Sequence, residues 1–165
     1  MQLARLSLAL LALLALSGCS IAPASSPVKV QRLCAETPPT DYAARTLLSA
    51  AGDWGCVELA SENCDRRLVW RSDRPVIDSG KGAAGICVYR HPEGVIECGR
   101  DAWAAGVASP LGTMLRHEMG HSLGLDHRTH GIMVEGYDKI PLGGIEPRER
   151  RDACGLWAAG KSELD

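Results

Sequence analysis

Apolar positions fall into stretches of different period along the 165-residue chain. A continuous Leu/Ala-rich run spans Leu6 to Leu16 and is followed, from Ser20 to Val28, by a polar segment containing three serines and two prolines. From Asp41 to Ala51 the apolar residues recur in a helical sense, whereas Arg67 to Trp70 reads as a strand. Ile86 to Tyr89 and Val95 to Cys98 are short strand-like runs on either side of the turn His91-Pro92-Glu93-Gly94, which predicts a hairpin. Leu111, Leu115, Met119 and Leu123 then recur every fourth residue as one helical stripe. Ser109-Pro110 offers an N-cap followed by proline at the first helical position, so this helix is expected from Pro110 to about Gly124. Glu146-Pro147 opens a last helical segment that runs to Ala159 through Leu156-Trp157. Helix, strands and two further helices make an α+β chain, and residues 30–165 suffice for one domain with its own core. No internal repeat is visible.

Opposite the apolar stripe of the 110–124 helix stand His117 and His121 of the segment His117-Glu118-Met119-Gly120-His121-Ser122-Leu123-Gly124-Leu125-Asp126-His127, an H-E-x-x-H-x-x-G-x-x-H pattern. His117 and His121 stand one turn apart on one face, so both rings can reach a single ion at about 2.0–2.1 Å. Gly124 permits the positive φ needed to turn the chain and bring back His127 as a third ligand. A fourth position stays open for water, as in catalytic zinc sites. Glu118 lies beside the ion without pointing straight at it, where a general base is needed. Five fixed positions at residue frequencies of a few per cent coincide by chance in roughly one chain in 10^5, which disfavours mere surface decoration.

This wording, followed by His130-Gly131-Ile132-Met133, resembles the metzincin clan of metalloproteases and especially the matrixins. The resemblance covers about Ser109 to Met133. It implies a zincin-like fold, a twisted mixed β-sheet packed with the active-site helix and a C-terminal helix, and a zinc-dependent endopeptidase with protein or peptide substrates. Met133 matches the methionine that metzincins place in a tight turn beneath the metal; an ordinary core methionine is the alternative. Some metzincins also bring up a tyrosine two residues later, but Glu135 occupies that position and Tyr137 is the nearest tyrosine, so the role is not transferred. No wording of the family's calcium or second-zinc loops is present, and Asp73 and Asp78 read as residues of a solvated turn. Arg32-Leu33-Cys34 with Pro38 only faintly echoes an inhibitory prosegment, whose glycine and aspartate spacing is absent.

Arg5, the Leu6–Leu16 run and Leu16-Ser17-Gly18-Cys19 resemble a bacterial lipoprotein signal. The run is too short to span a bilayer. Residues 1–18 are therefore expected to be removed, Cys19 to be acylated, and residues 19–29 to form a flexible tether; an ordinary secretory signal without lipid is the alternative. Lipid anchoring in the bacterial cell envelope follows as an expectation, with Ser20 after the cysteine favouring the outer membrane.

Of the seven cysteines, setting Cys19 aside leaves Cys34, Cys56, Cys64, Cys87, Cys98 and Cys154, an even number in an exported chain without a C-x-x-C pair. Three disulfides are expected. Pairing His91 with Gly94 in the hairpin places Cys87 opposite Cys98, so these two should be joined. Cys154 could staple the last helix, and a bridge involving Cys34 would leave no thiol for autoinhibition. With no phenylalanine in the chain, Trp54, Trp70, Trp103 and Trp157 must supply bulky packing. His130 and His91 are read as nonligands. The net charge of −2 offers no basic patch for nucleic acid, and nothing calls for more than a monomer. Two other functions remain open: hydrolysis of another amide, such as a peptidoglycan cross-link, and a noncatalytic zinc-stabilised envelope lipoprotein.

Overall fold

The buried strand residues are mainly apolar, with Gln31 the polar exception among the described residues, and they pack the sheet against the helices. The computed structural model describes residues 29–71, 77–78, 84–85, 87–99, 110–135 and 144–164. The leader, Cys19, nearly all of the tether, Asp73, Trp103, Ser109 and Tyr137 lie outside these residues. The elements are β1 (Gln31–Ala35), α1 (Asp41–Trp54), β2 (Val57–Ala60), β3 (Arg66–Arg71), β4 (Ile77–Asp78), β5 (Ala84–Gly85), β6 (Cys87–Arg90), β7 (Val95–Gly99), α2 (Pro110–Ser122) and α3 (Pro147–Ala159).

Five strands form one sheet in the order β2-β1-β3-β7-β6. β1 runs parallel to β2 and β3, and β3 parallel to β7, while β6 alone is antiparallel, on β7. The last feature is the predicted hairpin. Asp78, expected in a solvated turn, instead lies in β4, paired with Ala84 of β5 in a separate two-stranded ladder. A two-residue strand is too short to leave a periodic signal.

α1 starts at Thr40, whose Oγ1 accepts from the Ala43 N–H at 3.2 Å, and ends at Gly55 with φ +71°. It extends to Trp54, past the expected Ala51, because the left-handed residue that stops it is Gly55. Leu47, Ala50, Ala51 and Trp54 of this helix meet Leu33, Leu68 and Ile96 of the sheet in a single core. The predicted stripe of α2, from Leu111 to Leu123, is buried in the same core. Trp54 and Trp70 are buried as expected, whereas Trp157 is only partly covered. No helix among the described residues is long and apolar enough to cross a membrane.

Three disulfides fasten this α+β arrangement: Cys34–Cys64, Cys56–Cys154 and Cys87–Cys98. The hairpin bridge is the one its register required, with Cys87 opposite Cys98. Cys34 is consumed by Cys64, which removes it as a free inhibitory thiol. Cys154 ties α3 to the start of β2 across 98 residues of chain.

Loop-closure entropy ranks these bridges. The double variant Cys56→Ala/Cys154→Ala is expected to lose about 4–5 kcal/mol of unfolding free energy, against about 3 kcal/mol for Cys87→Ala/Cys98→Ala. Denaturant melts of the two variants check the order; equal losses would show that chain entropy is not what the long bridge supplies.

Candidate metal centre

α2 delivers two imidazoles from one face because His117 and His121 are four residues apart. Both are buried, and each ring is held through Nδ1 by a main-chain carbonyl: His117 by Ile132 and His121 by Leu125, both at 2.7 Å. A carbonyl can only accept, so both Nδ1 atoms carry the proton and both Nε2 atoms present a lone pair. The two Nε2 atoms lie 3.1 Å apart. Two nitrogens bound at about 2.0–2.1 Å to a tetrahedral ion are separated by roughly 3.3 Å, so the pair is set at the spacing of metal ligands. His127 completes a group whose ligand atoms all fall within 4.8 Å of one another. It is exposed, leaving the group open to solvent on its side. The arrangement could hold a metal ion.

The turn that returns His127 depends on glycine. The N–H of Gly124 caps the helix on His121 O and that of Leu125 reaches back to Gly120 O at 3.0 Å, with Gly124 at φ +104°. The same peptide unit receives Glu163, whose N–H bonds Gly124 O at 2.7 Å. A Cβ at Gly124 would lie 2.8 Å from Lys161 O, so backbone angle and crowding both require glycine.

Met133 is fully buried beneath the helix, where a Cβ on Gly120 would collide with its sulfur and press on Trp54. Its N–H is held by Glu149 of α3 at 3.2 Å, and Glu149 also accepts from Glu146 N at 3.1 Å. Gly131, at φ +77°, leaves room for that carboxylate. Glu149 is itself buried, so a carboxylate from the last helix fixes the turn that presents Ile132 O to His117.

Glu118 is buried beside the histidines, and its Oε2 accepts the Tyr89 N–H at 2.7 Å. Cys87 and Cys98, with Cα atoms 4.1 Å apart, form a pair without mutual ladder hydrogen bonds, so Tyr89 two residues on also turns its N–H and C=O away from β7. Glu118 therefore sits at the open edge of β6. Burial pushes its carboxyl up to about 8, opposed by the Tyr89 hydrogen bond. Burial, reinforced by His117, pulls His121 down to about 4, and burial lowers His117 as well. Both imidazoles are thus neutral at pH 7, the state a metal requires. The other two histidines lie outside the cluster among the described residues; His130 is exposed beside Thr129 Oγ1.

The sequence signalled the three histidines, Glu118, Gly124 and Met133 together. It carried Gly120 only as part of the motif wording and gave no warning of Tyr89 or Gln31. That buried side chain of β1 donates to Ser122 O at 2.7 Å and accepts from Ser122 Oγ at 2.9 Å, anchoring the end of α2 to the sheet. Glu149 had one readable trace, an acidic residue three positions after Glu146 at a helix start.

Residues 97–143, less than a third of the chain, match the family model Metallopep, described as "Putative peptidase family". No curated protein matches the chain. The match and the three-histidine group together fit a metallopeptidase.

Two outcomes follow from this geometry. Gly120→Ala forces the Met133 sulfur to shift and is expected to cost about 1–3 kcal/mol in a denaturant melt; a neutral result would show that the turn yields freely. In the metal-free protein Glu118 holds its proton more tightly folded than unfolded, so its contribution is complete below about pH 4.5 and lost as pH rises through about 8. The buried histidines act oppositely: the contribution of His121 is lost as pH falls from 6.5 toward about 4, and His117 shifts in the same direction. They are common to wild type and Glu118→Gln and cancel in the comparison. In chelator, Glu118→Gln should gain stability relative to wild type as pH rises from 5 to about 8, whereas parallel melting curves would refute the burial effect.

Proposed function

We propose that the protein is a zinc-dependent endopeptidase with a metzincin-like catalytic domain, in which His117, His121 and His127 hold the ion and Glu118 is the general base. The reading is carried by one observation: three imidazoles converge, those of His117 and His121 with Nε2 lone pairs presented inward, while a carboxylate from the next position of the same helix stands beside them. Three neutral nitrogen donors with an open fourth position are the donor set of a catalytic zinc site. When bound, zinc supplies Lewis acidity toward an amide carbonyl and acidifies water.

The chain's own part is proton handling and orientation. Glu118 takes the proton of the attacking water and returns it to the leaving amine as the C–N bond breaks, which frees a carboxylate and an amine. Burial raises its proton affinity, and the Tyr89 N–H fixes the direction of the carboxylate. Met133 supplies an apolar floor, braced by Glu149. β6 is the outer strand of the sheet and turns Cys87 main-chain groups and the Tyr89 C=O outward, the Tyr89 N–H being taken by Glu118, so an extended peptide laid along it by strand addition would pass the histidines. The Cys19 leader supports a lipid-anchored, envelope location for a monomeric enzyme acting there.

Metal-loaded protein incubated with a proteome-derived peptide library, with products mapped by mass spectrometry, tests the activity. Glu118→Ala should retain zinc and lose turnover by about 10^2- to 10^4-fold, whereas His121→Ala should lose zinc affinity as well. Cleavage unchanged in Glu118→Ala, or no cleavage by folded, zinc-loaded wild type, would overturn the reading.

A further inference from the structure

A cavity of about 240 Å³ opens beside the metal centre and shares His121 with it. Arg66 from the start of β3, Tyr89 and His91 from the hairpin, Trp157 from α3 and Lys161 just beyond it contribute to its walls. We propose that this cavity is a substrate subsite that takes a peptide carboxylate. The assignment rests on the endopeptidase reading for its substrate class and on the lining for its charge.

Among the described lining residues are two fixed cations and no aspartate or glutamate. Arg66 is half-buried, and its guanidinium donates through Nε to Ser122 O at 3.3 Å and through Nη1 to Asp65 O at 3.0 Å and also hydrogen-bonds the Tyr89 side chain, all neutral partners. Carbonyls orient the group without cancelling its charge. Neither Arg66 nor Lys161 enters an ion pair among the described residues, unlike Arg71, Arg90, Arg116 and Arg128.

Trp157 concentrates this positive character. Arg66 Cζ lies 5.3 Å from its ring centroid and Lys29 Nζ 4.7 Å from it, so two cations flank one indole. Its Nε1–H is buried and has no acceptor among the described residues. The described cavity wall therefore carries cationic donors and no carboxylate. Leu123 and Leu164 supply apolar surface, but a purely apolar occupant would desolvate Arg66 without compensation, which costs more than the contact returns. A carboxylate satisfies the guanidinium and ammonium together. Glu93 acts on Tyr89 from the hairpin turn without lining the cavity, and Glu118 is engaged at the Tyr89 N–H, so neither carboxylate fills the place.

The position of the cavity makes it selective for one residue. It adjoins His121 at the end of β6 that carries Tyr89 and leads into His91, so a peptide along this edge would place a side chain one or two residues from the scissile bond there. The carboxylate is either an Asp or Glu side chain or the end of the peptide. Which side of the cut it occupies reports the direction in which the peptide lies along β6.

Two experiments test this. The first compares cleavage of paired peptides differing by Glu or Gln at each position. One position should favour Glu by about tenfold in kcat/KM, and the ratio should fall toward one in Lys161→Glu and in Arg66→Gln. Lys161 is exposed, so its variant keeps the test valid should Arg66→Gln fail to fold. The second needs no turnover. Acetyl-Ala-Glu-Ala-amide, acetyl-Ala-Gln-Ala-amide and acetyl-Ala-Gln-Ala with a free carboxylate are titrated into zinc-loaded Glu118→Gln protein, following the amide NMR signals of Gly160 and Lys161. Saturable shifts with the first probe assign a side-chain carboxylate; shifts confined to the third assign a chain terminus. Equal responses to all three, or a Glu preference that survives both variants, would overturn the proposal. Binding of a carboxylate probe with no cleavage of any peptide would instead sink the endopeptidase reading and leave the subsite standing.

Discussion

Two hydrogen bonds, from His117 Nδ1 to Ile132 O and from His121 Nδ1 to Leu125 O, are the constraint on which the rest of the structure depends. Each orients a buried ring and settles its tautomer, so that the two Nε2 lone pairs face one point. Neither carbonyl belongs to the helix that carries the rings. The chain must leave α2, reverse, and pass beneath it twice. Gly124 permits the reversal that places Leu125, while Gly131, Met133 and Glu149 set the second pass that places Ile132. Gly120 lets the two layers approach because it has no side chain where the Met133 sulfur sits.

The arrangement asks the fold to bury groups that would rather be in water. His117, Glu118, His121 and Glu149 are all covered, in one small domain. The fold answers with neutral imidazoles, a proton-retaining Glu118 and a Glu149 that accepts two main-chain N–H groups. A cation at the histidines would reverse the electrostatics at Glu118, favouring its ionised form. Metal-free and metal-loaded proteins should therefore differ in proton occupancy as well as in charge. Because such polar burial contributes little net stability, covalent bridges fall where packing alone is thin, with Cys56–Cys154 holding α3, the helix that carries Glu149, against the body of the domain.

How much of this could be read from sequence depended on whether the determinant was local. The stripe Leu111–Leu123, the histidine spacing and the Gly124 turn are set within one helix and its cap, and the structure brings those three histidines together as the spacing implies. The hairpin was equally local, and its register paired Cys87 with Cys98. Determinants that meet through the fold left little trace. Gln31 and Ser122 are 91 residues apart, and Gln31 is the first residue of a five-residue strand, next to the ordinary polar residue Arg32. β1 and β2 were missed because they are short and flank a helix whose signal is stronger; their parallel pairing becomes visible only when α1 folds between them. Glu149 looks like any acidic residue in a first helical turn until Met133 is seen above it.

The geometry also separates two things a peptidase must do with its substrate. Main-chain groups at an open strand edge bind any extended peptide, since every residue offers the same N–H and C=O, so they supply affinity with little discrimination. A lined cavity discriminates, because its charge and shape answer to one side chain. On the proposed reading β6 would present the first and the hollow between Arg66, Trp157 and Lys161 the second, and Tyr89 would belong to both. Its N–H orients Glu118 and the residue helps wall the cavity, so an occupant of the proposed subsite would press on the same strand residue that holds the proposed general base. Selectivity and catalysis would then be mechanically joined at one residue. A side chain that seats well in the cavity would help fix Tyr89, and with it the carboxylate on which proton transfer depends, which would carry discrimination into turnover as well as binding.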